Sequence, residues 1–270
     1  MSRILFDVGG TRSRIAITHD GRTIANKEIF DTPSDFEAGI ERIAGSIKKL
    51  AGKNATEALA GGLPGPLDRE KTMSINPPNL PAWKNKPFKA KLCEKLGTNN
   101  IYLLNDAAMA GIGEALYGAG RGHDIVVYLT ISTGIGGARI IRGRIDENHL
   151  GFEPGHQIID RDSGLDLEQT VAGSAIRKKY NKKAEDIHDA EFWDDITKTL
   201  AVGLTNTIVH WSPDIVVLGG SMTQSINMDK LREYTAGYCK IFPVLPKITK
   251  CELGDEVGLY GAMGYLNGMR

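Results

Sequence analysis

Cysteine is scarce in this chain of 270 residues: Cys93, Cys239 and Cys251 lie far apart and without paired spacing. That argues against a disulfide framework or a cysteine-built zinc site and fits a reducing cytoplasm. Neither sign of charge is in excess, since Lys plus Arg number 33 and Asp plus Glu number 33. No global field would therefore draw the protein to nucleic acid or an anionic membrane. Apolar runs are short, none reaching the roughly eighteen residues of a membrane span. The N-terminus enters Arg3-Ile4-Leu5-Phe6-Asp7 without a signal-like stretch, so secretion is not expected. The spaced glycine fingerprint of dinucleotide-binding folds and the G-x-x-x-x-G-K-[ST] phosphate loop are both missing, which removes those two nucleotide-binding readings. Hydrophobic residues at 41% and charged residues at 24% describe a folded, soluble chain with material for one large domain or two smaller ones.

Glycine, by contrast, is abundant. There are 32, where an average chain of this length has about 19. They cluster in short loops after apolar runs, at Gly9-Gly10, Gly61-Gly62, Gly134 to Gly137 and Gly219-Gly220, as expected where backbone approaches a ligand. Periodicity predicts strands at 3–8, 13–18, 22–29, 57–62, 100–104, 125–131, 136–141, 214–218 and 247–252. It predicts helices at 34–51, 87–96, 106–117, 189–210, 229–239 and 257–267. Residues 4–17 and 127–141 each read as strand, Gly/Thr turn, strand, which points to a duplicated hairpin. The expectation is an α/β chain of two related lobes with a cleft between them, the border falling near residue 117.

Several motifs carry chemistry, each with a plainer alternative. Asp7-Val8-Gly9-Gly10-Thr11 could cradle phosphate and hold hydrated magnesium, or be an ordinary hairpin turn. The turn from Thr130 to Gly137 could be the opposing half of a phosphate clamp. Asn105-Asp106 follows a strand and opens a helix; capping is the default reading and a general base at Asp106 the sharper one. Glu153-Pro154-Gly155-His156, followed by Asp160, Asp162, Asp166 and Glu168, reads as a solvated acidic loop, a metal site or a set of partners for sugar hydroxyls. Val216 to Ser221 runs a buried-type strand into two glycines, a place to lay a nucleoside against backbone.

The ordered set D-V-G-G-T at 7–11, G-L-P-G at 62–65, N-L-P-A-W at 79–83, N-D-A at 105–107, S-T-G-I-G-G at 132–137, E-P-G-H at 153–156, L-G-G at 218–220 and G-L-Y-G-A at 258–262 resembles the ROK family of sugar kinases over nearly the whole chain. The resemblance implies an actin-like, ribonuclease-H-like fold of two lobes, 1–117 plus 256–270 and 118–255, and transfer of the γ-phosphoryl group of ATP to a hexose. It implies Asp106 as catalytic base, and Gly65, Asn79, Asn105, Glu153, His156 and Glu168 around the sugar. Asp7, Gly9, Gly10, Thr11, Thr133, Gly134 and Gly136 would face the phosphates, with Asp7 holding Mg2+ through water and Gly219 and Gly220 near the nucleoside. A homodimer is the habit of the group. A non-catalytic sugar sensor of the same fold is the second reading.

Two departures stand out. Many members carry a cysteine-rich loop binding zinc together with the histidine; here Asp160 to Leu167 fills that interval without cysteine, so no zinc is expected. Some members are repressors with an N-terminal DNA-binding domain, and here the phosphate motif begins at residue 7. Finally, Ala107, Ala110 and Gly111 on one helix and Gly258, Gly261 and Ala262 on the last offer small faces, which predicts that these helices cross between the lobes.

Overall fold

The computed structural model describes residues 2–52 and 56–269. The first sheet comprises β1 (Ser2–Val8), β2 (Arg12–Thr18), β3 (Asn26–Asp31), β4 (Thr56–Leu63) and β5 (Ile101–Asn105), in the order β3-β2-β1-β4-β5. Its first three strands form an antiparallel meander, and β4 and β5 then add in parallel. The second sheet repeats this with β6 (Ile125–Ile131), β7 (Ile135–Ile141), β8 (Arg144–Ile145), β9 (Ile215–Gly219) and β10 (Lys247–Lys250), in the order β10-β9-β6-β7-β8. The duplicated hairpins of the sequence are β1–β2 and β6–β7, at the same place in each sheet.

Helices cover both outer faces. On the first sheet α1 (Phe36–Ala51) and α2 (Phe88–Leu96) bury Ile40, Ile43, Phe88 and Leu92 against Phe6, Ile15 and Leu59. Asp35 caps α1 by accepting the Ala38 N–H at 2.9 Å. On the second sheet α4 (Leu167–Val171), α5 (Gly173–Tyr180), α6 (Ala190–Trp211) and α7 (Met228–Tyr238) bury Val171, Ile176, Leu200, Leu204 and Leu231 against Val127, Leu129 and Val216. Among the described residues no helix is long and apolar enough to cross a membrane.

Between the sheets run α3 (Asp106–Tyr117) and α8 (Val257–Gly268). α8 lies on β1 and β4, tied there by Asn267, which accepts from Arg3 at 2.8 Å and donates to the Gly21 carbonyl at 2.7 Å. α3 touches β4 of one sheet and β6 and β7 of the other. The two helices pack almost backbone to backbone: a Cβ on Gly261 would land on the Met109 carbonyl oxygen, and one on Gly113 would lie 3.0 Å from the Gly261 nitrogen. Of the α8 face read from the sequence, Gly261 meets α3 but Gly258 faces Asp7 of the first sheet, and Gly264 joins the contact instead; the α3 face also differs. Met109, Ile112, Gly113 and Leu116 meet α8, whereas Gly111 faces Tyr128 and Ile140 of the second sheet. Small residues occur on both sides of α3 because it is enclosed on both sides, so spacing alone could not say which side meets a helix.

The buried Glu114 carboxylate fastens the far end of this crossing. It accepts N–H groups from Ala119 at 2.8 Å, beyond α3, and from Glu252 and Leu253 at 3.1 and 2.9 Å, ahead of α8.

Other differences from the periodicity are local. The third strand begins at Asn26 rather than 22, because the Asp20 carboxylate captures the Arg22 and Thr23 N–H groups, both at 2.8 Å, and turns the chain. β8, α4 and α5 were not expected; at two, five and eight residues they are too short for a periodic signal.

Glycine substitutions test this architecture. On exposed Gly45 of α1 a Cβ meets nothing within 4 Å, so Gly45→Ala is expected to stabilise by about 0.5–1 kcal/mol. Gly261→Ala forces the central helices apart and is expected to destabilise by about 1–3 kcal/mol. Chemical denaturation of both variants checks the opposite signs.

Candidate active site in the interlobe cleft

Asp7 lies near the end of β1, directly across the hairpin from Arg14, whose guanidinium approaches its carboxylate to 3.6 Å and that of Asp255 to 3.2 Å. The Asp7 side chain is only 17% exposed. Burial therefore raises its pKa to about 6, with Arg14 pulling it down and Asp255 pushing it up. Gly258 of α8 leaves room for this carboxylate, since a Cβ there would sit 2.7 Å from its carbon. The following turn is braced: the Gly9 N–H donates to Arg12 O at 3.0 Å, the Thr32 hydroxyl donates to Gly9 O at 2.7 Å, and the Thr32 N–H donates to Thr11 O at 2.8 Å. Asn79, at φ 64°, lies against Gly10, where a Cβ would come within 3.0 Å of its own.

Asn105 and Asp106 stand where β5 passes directly into α3. Asn105 is indeed the N-cap, its Oδ1 accepting from the N–H groups of Ala107 and Ala108 at 2.9 and 3.2 Å. Its amide also donates to Gly65 O at 2.9 Å, anchoring that positive-φ glycine at the cleft. Asp106 opens the helix with its Oδ1 accepting the Ala107 N–H at 2.8 Å. Its Cα would be 2.9 Å from a Cβ on Gly62, so Gly62 permits the close approach of β4. Burial first, then the charges of Asp7 and Glu153, raise the Asp106 pKa to about 7, while the Ala107 N–H lowers it. A helix N-terminus by itself lowers an acid's pKa, but at Asp106 burial and like charges outweigh it.

The second lobe supplies the other wall. In its β6–β7 turn the Ser132 N–H donates to Gly134 O at 2.9 Å, and the start of α5 clasps the turn, Gly173 N–H to Ser132 O at 2.8 Å and Ser174 N–H to Thr133 O at 3.0 Å. Gly136 lies beside Ala107, at 3.2 Å for a Cβ, which brings this hairpin to the start of α3. Glu168, in the first turn of α4, accepts the Ile135 N–H at 2.6 Å and lies against Gly134. Gly220, at φ 88°, follows β9, and Ser221 beside it reaches the Ser132 hydroxyl at 3.3 Å. Gly219 is packed against the Tyr128 hydroxyl.

Glu153 stands between two depressions. One lies toward Asn105, Ala108, Leu67, Gly137 and Phe152, the other toward His156, Gln157, Asn206, His210 and Trp211. Burial and the nearby Glu168 raise the Glu153 pKa, against the pull of His156. His156 Nδ1 is 2.9 Å from Asp166 Oδ2, and that hydrogen bond is the main cause of its raised pKa. The acidic run beyond His156 resolves into separate duties: Asp160 closes a turn on Ser163, Asp162 pairs with Arg161, Asp166 caps α4 and Glu168 holds the hairpin. Among the described residues no group of three or more His, Cys, Asp or Glu side chains is placed to hold a metal ion.

The charges of Asp7 and Glu153 reach Asp106, and those of His156 and Glu168 reach Glu153, so these five side chains form one electrostatically linked run. The sequence profile of the ROK family matches residues 3–267. The chain belongs to the ROK family. It is 28% identical to a glucokinase of Thermotoga maritima over 95% of this chain and 94% of that one. Among solved structures, the ROK hexokinase of Thermus thermophilus superposes with a TM-score of 0.87 at 27% identity, covering 100% of this chain and 99% of that one. A ROK family glucokinase from Streptomyces griseus, solved with glucose and AMPPNP, gives 0.81 at 22% identity over 98% and 99% of the two chains. The two sheets with their shared central helices are the two lobes of the actin-like ATPase fold.

Two contacts of this cleft are not visible in the motifs themselves. Arg14 is detectable only through hairpin register, which sets position 14 opposite position 7. Gly258 shows its purpose only once α8 has returned to the first sheet.

Two measurements follow from these geometries. Between about pH 4 and pH 7 folded Asp106 holds a proton that the unfolded chain releases, so it contributes stability at acid pH that is lost as pH rises through about 7. Ligand-free Asp106→Asn is therefore expected to match the wild type near pH 4 and to exceed it by about 1–3 kcal/mol at pH 8, as read from denaturation at the two pH values. His156 has one carboxylate partner, at 2.9 Å, where a closed zinc site needs about four ligands. Elemental analysis of purified protein is expected to find no stoichiometric zinc, and a chelator to leave the Tm unchanged.

Proposed function

We infer that the protein transfers the γ-phosphoryl group of ATP to a hydroxyl of a hexose. The observation that carries this reading is Asp106, a cleft carboxylate with its pKa raised to about 7, set between Asp7 and Glu153. A pKa near the working pH suits a general base. A sensor needs no such group. The hexose class is supported by the glucokinase and hexokinase relatives, and ATP by the AMPPNP bound to the Streptomyces griseus enzyme.

Asp7 fits a hydrated magnesium ion, since it is a largely buried carboxylate whose partner Arg14 stands at 3.6 Å, beyond hydrogen-bond contact. Gly9, Gly10 and Thr11 on one side and Thr133, Gly134 and Gly136 on the other would bind the phosphates, with Gly219 and Gly220 near the nucleoside. ATP would supply the phosphoryl group, and its magnesium ion, held by Asp7 through water, would offset phosphate charge. Asp106 accepts the proton of the sugar hydroxyl as its oxygen attacks. Asn105 keeps Gly65 and the start of α3 in place and retains one amide N–H for the sugar. Glu153 and His156 orient further hydroxyls, Glu153 as acceptor. Glu168 lies where sugar and phosphate turn meet, and Asn79 closes the edge of the pocket at Gly10. The lobes, 1–117 with 256–270 and 118–255, would close about the α3–α8 crossing, and a homodimer in the cytoplasm is the expected setting.

A coupled ADP-release assay across a hexose panel tests the activity and names the sugar. Asp106→Asn is expected to lower kcat by about 10² to 10⁴ while hexose affinity changes far less. Near-normal turnover in that variant would remove the general-base assignment, and tight hexose binding without ADP release would favour the sensor.

A further inference from the structure

His156 ends a short 3-10 turn, Pro154–His156, with 59% of its side chain exposed, so one edge of the ring is open. The other edge is held. Its Nδ1 meets Asp166 Oδ2 at 2.9 Å, and the Asp166 side chain is only 9% exposed. That carboxylate cannot turn away, because its second oxygen is committed to α4. Asp166 Oδ1 accepts the Gln169 N–H at 2.7 Å, and the Gln169 side chain accepts the Asp166 N–H at 3.2 Å, a reciprocal capping box. The Leu167 N–H donates to Gln157 O at 3.0 Å, and Ile158 bridges to Asp166, which brings the cap back to the histidine across the intervening loop.

We propose that Asp166 is the positioning residue of the sugar site, fixing the His156 ring with Nδ1–H donated to its carboxylate and Nε2 left as an acceptor for a sugar hydroxyl. The inference rests on the hexokinase reading and names which atom of His156 serves it. In a neutral imidazole one nitrogen donates and the other accepts, and the partner at one decides the role of the other. An ionised carboxylate only accepts, so Asp166 takes the proton-bearing nitrogen and hands the lone pair to the substrate side. Glu153 and Glu168, the other acids near the ring, only accept as well, and a hydroxyl is the ligand group able to donate to Nε2. The same pair supports the raised pKa of His156.

Asp166→Asn separates this role from helix capping. Asparagine caps as well as aspartate, so α4 and the fold remain, but its amide donates where the carboxylate accepted. His156 must then present a lone pair at Nδ1 and a proton at Nε2. Asp166→Ser is the second variant: serine also caps, and it is too short to keep the contact. Long-range ¹H–¹⁵N spectra of the ligand-free protein at pH 8.5, with His156→Gln for assignment, are expected to show the Nδ1–H tautomer in the wild type and the Nε2–H tautomer in Asp166→Asn. On the best hexose, both variants are expected to raise KM about tenfold, the loss of about one hydrogen bond, with kcat falling less than about threefold. A wild type already in the Nε2–H form overturns the inference, as does an active wild type whose hexose KM is unchanged in both variants. A wild type that phosphorylates no hexose overturns the functional reading and this inference with it, while the spectra still report whether Asp166 holds the ring.

Discussion

The near-contact of α3 and α8 is the constraint on which the rest depends. Two five-stranded sheets must each bury an inner face, and the space between them is filled by one helix from each half of the duplicated plan. Backbone proximity at Gly113 and Gly261 sets the spacing of the sheets and therefore the width of the cleft. Glu114 joins the entry to α8 to the exit from α3 through three backbone N–H groups, so the two helices are linked as well as packed. Three backbone donors offset much of the cost of burying its polar oxygens.

The same crossing builds the site. α3 begins at Asp106, and α8 passes Asp7 through the gap left by Gly258, so two carboxylates from different elements share one low-dielectric space. Their charges, with that of Glu153, repel in the absence of ligand. That repulsion costs stability locally, and acids perturbed in this way cluster at active sites. Arg14 offsets part of the repulsion at 3.6 Å, far enough to leave the Asp7 carboxylate open to another partner.

The second lobe shows a different economy, in which helix termini serve the site. Asp166 caps α4 and holds His156; Glu168, two residues on, holds the phosphate-type turn through the Ile135 N–H at 2.6 Å. One short helix thus connects the wall proposed for sugar with the turn proposed for phosphate, and a shift in α4 would be felt by both.

Much of this was legible in the chain before folding. The glycine turns, the hairpin duplication, nearly all long elements and the capping duty of Asn105 follow from local rules, because turn geometry, strand alternation and helix capping are decided within a few residues. The ordered motifs also carried the family. What only the tertiary structure decided depends on distant segments. Small residues on α3 did not reveal which face meets α8, Arg14 gained meaning from strand pairing, and the acidic stretch after His156 separated into a turn, an ion pair, a cap and a hairpin clasp. The elevated pKa of Asp106 lies furthest from the sequence. Its position at a helix N-terminus predicts a lowered value, and burial beside Asp7 and Glu153, residues about a hundred positions before it and about fifty after, reverses the sign.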